Sequence, residues 1–268
     1  MQNGLKKALA AVVLLGCETL FASPTFTNSV ALVGQNMDYR EYDKAGVFAD
    51  SEKSDFSQMA GAEINFAFLF DREKGEYSQI DIDFLGLSGN TKYDGFYLVS
   101  GLPAQSETSN YIADVAMRYK KFHSLSSALE VNYGLGFGYY MWERSLSSSQ
   151  VELYDWFYVK PSAGMTLELM KNLHLGLNLA YKYALNPAMS VTSPNLDFKL
   201  AGVNVLEASI PLTYTFSHAF DMFVAYEFEQ QNIEASNSKY DAQSDDYYYE
   251  PDSTAKNQYL KLGMTFKY

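Results

Sequence analysis

Charged side chains alternate with apolar residues in several stretches of this chain. In residues 80–84, Asp81 and Asp83 are separated by Ile82 and flanked by two further apolar residues. Alternate residues of a β-strand point to the same face, so this spacing gathers the charges of each stretch on one side. The candidate charge network found in this way comprises Glu63, Asp81, Asp83, Asp114, Arg118, Glu130, Lys160, Lys182, Glu207 and Lys261.

Charges gathered on one face of a closed sheet can serve two purposes. Buried groups of opposite sign must pair or stay hydrated, so the network can be a set of internal ion pairs that fills the interior. The same groups can line a small hydrated pore, which would prefer cations because the acidic residues outnumber the basic ones. The spacing alone leaves both possibilities open.

The histidines and the cysteine argue against catalysis. A hydrolase that works near neutral pH needs a proton shuttle, which is most often a histidine. His123, His174 and His218 lie in or beside short polar turns, away from the long connections of the chain. The single cysteine, Cys17, lies near the N-terminus. We therefore predict no catalytic residue, no metal site and no cofactor.

Ten stretches show the period of two that positions these charges. In the clearest, Leu173–Leu185, leucine or tyrosine occupies every second position, and the last stretch, Gln258–Tyr268, runs to the final residue. Period two with one apolar face predicts β-strands. The predicted strands are about Asn28–Tyr42, Phe56–Phe70, Glu76–Ser88, Tyr111–Tyr119, Leu129–Tyr139, Phe157–Glu168, Leu173–Leu185, Leu206–Phe216, Phe220–Glu229 and Gln258–Tyr268.

Short and long connections alternate between the predicted strands. The short ones are Asp71–Gly75, Phe122–Ser126, Met170–Asn172 and Ser217–Ala219. The long polar ones are Asp43–Asp55, Gly89–Glu107, Arg144–Asp155, Asn186–Val203 and Ile233–Lys256. This rhythm is typical of outer-membrane barrels, which have short periplasmic turns and long extracellular loops.

The strand pattern, the loop rhythm and the terminal aromatic Tyr268 resemble the bacterial outer-membrane β-barrel proteins, including small surface barrels. The resemblance implies an all-β fold, a ten-stranded antiparallel transmembrane β-barrel in the bacterial outer membrane. Its apolar face would point to lipid, because water-exposed patches of that size exceed what a soluble monomer tolerates. Pro161 and Pro211 cannot donate to a strand ladder, so each predicts a β-bulge. Trp142 and Trp156 are expected in an aromatic girdle on the loop side.

The first 22 residues resemble an export signal, with two early lysines, an apolar run at Ala8–Gly16 and a small residue, Ala22, for cleavage. We predict a signal peptide at residues 1–22 and one barrel domain at residues 23–268. A lipoprotein site at Cys17 is the alternative.

Composition and the last long connection bear on partners. The net charge of −12 argues against nucleic acid, which basic patches bind. We predict contacts with outer-membrane lipid and lipopolysaccharide, and with the barrel assembly machinery through the C-terminal strand. The carboxylates and tyrosines of Ile233–Lys256 predict a solvated loop, with an adhesive surface for a host or surface ligand, or weak Ca²⁺ binding, as alternatives.

Strand count, length and loop rhythm are also similar to the omptins, a family of outer-membrane proteases. Those proteases place an acidic pair and an Asp–His pair at the outer rim, and this sequence offers no histidine there. We therefore predict a non-enzymatic barrel that serves envelope structure or forms a narrow pore. The alternatives are a surface-contact protein that works through its extracellular loops and, third, an omptin-like hydrolase.

Overall fold

The structure is a computed structural model that describes residues 25–73, 75–96, 102–193 and 195–268. The predicted signal peptide, residues 1–22, lies outside the described residues. The strands are β1 (Thr25–Tyr42), β2 (Phe48–Lys53), β3 (Met59–Glu73), β4 (Glu76–Phe96), β5 (Pro103–Ser124), β6 (Leu129–Ser145), β7 (Val151–Met170), β8 (Leu173–Val191), β9 (Leu196–Lys199), β10 (Val203–Ser217), β11 (Phe220–Ile233), β12 (Lys239–Asp241), β13 (Asp246–Tyr248) and β14 (Asp252–Lys267). In the described ranges, there is no helix long and apolar enough to cross a membrane.

The long strands pair antiparallel with their sequence neighbours, which confirms the predicted all-β antiparallel sheet. β3 pairs with β4, and the pairing continues strand by strand to β8. β8 pairs with β10, β10 with β11, and β11 with β14. β14 also pairs with β1, and β1 pairs with β3. Each of these ten strands therefore has two partners. At the C-terminal end of β1, from Asp38 onwards, β1 pairs with β2 instead of β3, and β2 in turn pairs with β4.

Alternation divides the sheet into two faces. In β1, Val33, Gln35 and Met37 are buried, whereas Leu32, which directly precedes Val33, is 71 % exposed. We call the face of the buried residues the inner face and the opposite one the outer face. The outer face is apolar, as the exposed Phe137, Leu177 and Met264 illustrate. This orientation agrees with an apolar face that contacts lipid.

The two ends of the sheet differ in how its strands are joined. At one end, which we call the turn end, two to four residues connect β5 to β6, β7 to β8 and β10 to β11. At the opposite end, the loop end, the strands run well past the predicted bounds. β4 continues to Phe96 and β6 to Ser145, and β2, β9, β12 and β13 form within predicted loops. The prediction stopped where the apolar side chains ended, but polar residues continue the hydrogen-bonded ladders.

The predicted bulges at Pro161 and Pro211 are wrong. The register of β7 with β8 is the same on both sides of Pro161, and that of β10 with β8 is the same on both sides of Pro211. Two consecutive residue pairs are missing from the ladder at each proline, but no extra residue is inserted. Next to Pro211, Gly176 leaves room for the proline ring, since a Cβ at that position would lie 2.6 Å from Cγ of Pro211.

The predicted place of the two tryptophans is also wrong. Trp142 and Trp156 lie on the inner face and are 1 % and 2 % exposed. They occupy even positions of β6 and β7, as the inner-face residues Tyr140 and Tyr158 do. The sequence reading assigned them to the outer interface because of residue type, whereas the register of their strands turns them inward.

We expect Gly61→Ala to destabilise the fold, since the added Cβ would lie 1.9 Å from the carbonyl oxygen of Gly86 on the neighbouring strand. The expected loss in the free energy of unfolding is about 2 kcal/mol, measured by urea unfolding in detergent micelles. Gly86→Ala is the matched control, because its Cβ would meet no atom within 4 Å. Equal midpoints for the two variants would contradict the close approach of β3 and β4.

Candidate functional site

Lys182 is the centre of the largest ion-pair group on the inner face. Its Nζ lies 2.7 Å from Asp114 Oδ2, 2.7 Å from Glu207 Oε1 and 3.7 Å from Glu229 Oε2. Lys160 on the adjacent strand also pairs with Glu207. The lysine is 5 % exposed at its side chain, so these carboxylates replace its lost hydration.

A second group lies around Arg118 in β5. Its Nη2 is 2.7 Å from Asp83 and 3.6 Å from Asp81. Lys120, two residues further along β5, lies 2.5 Å from Asp81. Asn65 donates from Nδ2 to the remaining oxygen of Asp83 at 2.7 Å. The adjacent carboxylates of β4 are thus neutralised by adjacent cations of β5.

The third ion-pair group joins β14 to β3 and β11. Lys261 in β14 pairs with Glu63 at 2.6 Å and with Glu227 at 2.9 Å. The structure therefore places nine of the ten residues of the predicted network in ion pairs. Glu130 is the exception, because it forms no ion pair with a described residue and instead accepts a hydrogen bond of 2.9 Å from the Tyr77 hydroxyl. Lys120 was missed, although its spacing of two from Arg118 was the available signal.

A cavity of about 270 Å³ remains between these groups. Its lining is mixed, with five cationic and six acidic side chains among polar amides and a few apolar groups. The charged members are Glu63, Asp83, Asp114, Arg118, Lys120, Lys160, Lys182, Glu207, Glu227, Glu229 and Lys261. Because most of these charges are paired with each other, the cavity offers few free charges to a solute.

Towards the loop end, an aromatic layer fills the inner face. Trp142 stacks on Tyr154 with ring centroids 5.2 Å apart, and Tyr39 meets Trp142 edge-on at the same distance. Tyr140 stacks on Trp156 at 4.8 Å. Tyr39 and Tyr154 are 0 % exposed. Packing of this kind is that of a protein core rather than of a water-filled channel.

Above the aromatic layer, a guanidinium is buried among carboxylates. Arg144 is 1 % exposed, and its nitrogens lie 3.0 Å from Glu41, 2.8 Å from Glu52 and 2.9 Å from Glu152. Its central carbon also lies 4.4 Å from the ring centroid of Tyr39. We call Arg144, Glu41, Glu52 and Glu152, with Tyr39 and Tyr154, the Arg144 cluster. It joins β1, β2, β6 and β7.

A fourth glutamate closes the Arg144 cluster from the last long connection. Glu250, between β13 and β14, is 5 % exposed and accepts a short hydrogen bond from the Tyr154 hydroxyl. Burial, with Glu41 and Glu152 nearby, raises the pKa of Glu250 well above its usual range. Burial beside Glu41 raises the pKa of Asp50 in β2 to about 8. A buried carboxyl without a cation of its own holds its proton.

The sequence reading missed the Arg144 cluster because it assigned Arg144 and Glu52 to loops. The available signal was alternation, since Tyr140, Trp142 and Arg144 share one face of β6. That pattern looks irregular when strands are recognised by their apolar face alone, because here the buried side chains are polar or amphipathic.

The three histidines lie at the turn end. His123 in β5 has Nδ1 3.2 Å from Glu76, His174 is the second residue of β8, and His218 lies between β10 and β11. Among the described residues, there is no group of three or more histidine, cysteine or acidic side chains arranged to hold a metal ion.

We expect Arg144→Met to lower the free energy of unfolding by roughly 3–5 kcal/mol, because three buried carboxylates would lose their cation. The shift of the urea midpoint in micelles measures this loss. Arg40→Met is the control, since Arg40 pairs with Asp38 at 2.9 Å on the exposed surface and should cost about 1 kcal/mol or less. A similar shift for both variants would show that the Arg144 cluster contributes no more than a surface pair.

Comparisons with known proteins identify the fold. No family model and no curated protein matches the sequence. The outer membrane protease OmpT from Escherichia coli is similar in structure, with a TM-score of 0.58 and 13 % identity over 94 % of this chain and 99 % of that chain.

Two further solved structures are more distant. The translocator domain of autotransporter NalP from Neisseria meningitidis has a TM-score of 0.44 and 11 % identity, over 100 % of this chain and 95 % of that chain. The Pseudomonas putida toluene transporter TodX has a TM-score of 0.39 and 7 % identity, over 91 % of this chain and 89 % of that chain. The likeness to OmpT shows that the chain has the fold of the bacterial outer-membrane β-barrels, and its exposed apolar outer face agrees with a location in that membrane.

Proposed function

We propose that the ten long strands close into a barrel that spans the outer membrane, contributes to envelope structure and has no open pore. The main support for this proposal is that side chains fill the inner face, where the Arg144 cluster packs on the aromatic layer. In this orientation the turn end faces the periplasm and the loop end faces outwards, as in other barrels of this kind.

The packing at the loop end favours a sealed barrel over a narrow pore. A conducting path needs continuous water, yet the side chains of Tyr39, Trp142 and Tyr154 are at most 1 % exposed. Moving Arg144 out of the way would separate a guanidinium from three carboxylates, which costs several kcal/mol when the groups are buried. The cavity of about 270 Å³ lies on the other side of this layer, so it supports a closed chamber lined by ion pairs rather than a through-channel.

The absence of enzymatic activity is part of the same proposal. An omptin-like hydrolase would need a proton shuttle at the loop end, whereas His123, His174 and His218 are all at the turn end. The described carboxylates of the Arg144 cluster are buried, so a substrate cannot reach them without a rearrangement.

The proposed partners are the surrounding lipids and the assembly machinery. Lys53, Lys92 and Lys256 are exposed on the outer face towards the loop end, where their ammonium groups can meet lipopolysaccharide phosphates. At the other end, β14 presents Leu260, Leu262 and Met264 on the outer face, which supports its recognition as a C-terminal strand by the barrel assembly machinery.

A surface-contact protein is the second candidate. β12 and β13 form a two-stranded hairpin at the loop end, in which the rings of Tyr240 and Tyr247 lie 5.2 Å apart. Tyr247 is 69 % exposed, and exposed tyrosines are common anchors in binding surfaces. This hairpin would carry contacts with a host or surface ligand.

We expect the purified full-length chain to insert into planar bilayers without steady conductance, because the aromatic layer interrupts the water path. Heat-modifiable gel migration of the same sample would establish that the barrel is folded. Steady single-channel steps in the wild type would contradict the sealed barrel.

Paired variants test the aromatic layer directly. Trp142→Ala with Tyr154→Ala should produce leak currents, since it removes two stacked rings from the inner face. Phe157→Ala with Tyr183→Ala is the control, because these side chains are 63 % and 58 % exposed on the outer face and should leave the bilayer silent. Equal currents from both pairs would show that leakage reflects general loosening of the barrel.

A further inference from the structure

The segment between β11 and β14, residues 234–251, folds over the Arg144 cluster. Its two bases are joined to each other where Ser236 N donates to Glu250 O at 2.9 Å, and two further sets of contacts hold it to the strands around it. One set consists of backbone and amide hydrogen bonds to β9. Asn237 N donates to Lys199 O at 3.2 Å, and Lys199 N donates to Asn237 Oδ1 at 2.9 Å. The other contact is the Glu250 carboxyl against Tyr154. The first set contains no ionisable side chain, whereas the second does.

Glu250 enters the Arg144 cluster without a cation of its own. The nitrogens of Arg144 are already directed to Glu41, Glu52 and Glu152, and Glu250 forms no ion pair with a described residue. With Glu250 ionised, four buried carboxylates would face a single guanidinium. Repulsion between like charges at low dielectric is strong, so the closed arrangement requires a proton on this carboxyl.

We propose that residues 234–251 form a pH-dependent latch, which is closed over the barrel mouth when Glu250 carries a proton and released on the Glu250 side when it does not. The hydrogen bonds to β9 then act as the hinge. The latch rests on the proposed function only for its position on the extracellular side of the barrel.

The charged and titratable groups that face Glu250 come from four strands. Those that interact with Glu250 are Tyr39 and Glu41 of β1, Arg144 of β6, and Glu152 and Tyr154 of β7. Asp50 and Glu52 of β2 lie behind them, next to Glu41 and Arg144. Asp50 lies further out, where the Tyr93 hydroxyl of β4 donates to it at 3.1 Å. Next to Glu250 in the latch, the ring centroid of Tyr249 lies 4.1 Å from Nζ of Lys44.

The sign of the pH effect follows from the direction of the pKa shifts. The pKa of Glu250 is raised by burial and by Glu41 and Glu152. A carboxyl with a raised pKa in the closed state binds more protons there than in the open state. Its stabilisation of the closed state is therefore complete at low pH and is lost as the pH rises through the raised pKa. The latch is therefore released when the pH rises.

The two tryptophans of the chain provide the readout. Both lie in the aromatic layer directly below the latch, and Trp142 stacks on Tyr154, the hydrogen-bond partner of Glu250. Acrylamide quenching of their fluorescence should increase in folded, micelle-embedded protein as the pH rises through the raised pKa of Glu250. Between the ordinary pKa of the open state and the raised pKa of the closed state, each pH unit shifts the latch towards release by about tenfold per proton lost, and above the raised pKa the shift ends.

Glu250→Gln tests the origin of this change. The amide keeps the size of the carboxylic acid and an oxygen that accepts from Tyr154, but it does not ionise, so quenching should stay at its low-pH value throughout. Asp245→Asn is the control, because it removes the same charge from the exposed tip of the same segment and should leave the wild-type pH profile unchanged.

Each result decides for or against the latch. A rise in the wild type and in Asp245→Asn, with a flat profile in Glu250→Gln, supports it. A flat wild-type profile, or the same rise in Glu250→Gln, overturns it. Hydrogen exchange of residues 234–251, corrected for the intrinsic pH dependence of exchange, gives a second measurement independent of quenching. The sealed-barrel proposal fails separately, through steady conductance at neutral pH.

Discussion

Desolvation of charge is the constraint on which the inner face of this barrel fold depends. A buried ion loses several kcal/mol of hydration, and another charge or a set of hydrogen bonds must replace it. The chain meets this requirement by register. Antiparallel pairing brings Asp81 opposite Arg118, and Glu207 in β10 lies within reach of both Lys160 and Lys182. A shift of one residue in any of these strands would turn a charge towards lipid and leave its partner unpaired.

The interior changes character along its axis as a result. Near the turn end, ion pairs surround a cavity of about 270 Å³, whereas the loop half is packed with stacked rings under one buried arginine. The loop half resembles the core of a soluble β-protein, and the polar outer positions there suit water rather than lipid. Where the strands continue beyond the apolar outer face, contacts between inner-face side chains therefore stabilise the sheet.

Sequence patterns were sufficient for the features set by alternation. They gave the strand faces, the antiparallel pairing of neighbours and nine of the residues found in ion pairs, because period two has a direct geometric meaning. Sequence patterns did not identify the strand positions at which polar side chains are buried towards the loop end. Arg144 and Glu52 appear as loop residues by composition, and the inward direction of Trp142 depends on a register that residue type does not reveal. Two of the three carboxylate partners of Arg144, Glu41 and Glu52, lie 103 and 92 residues away from it in sequence, and no local pattern specifies such contacts.

The pairing of β1 with β14 has a consequence for how the molecule forms. The other neighbouring long strands are mostly close in sequence, so their hairpins close short loops at small entropic cost. Thr27, in contrast, pairs with Lys267, which lies 240 positions later in the chain. Contacts of such high sequence separation form slowly. Assembly should therefore advance hairpin by hairpin and end with the pairing of β1 and β14.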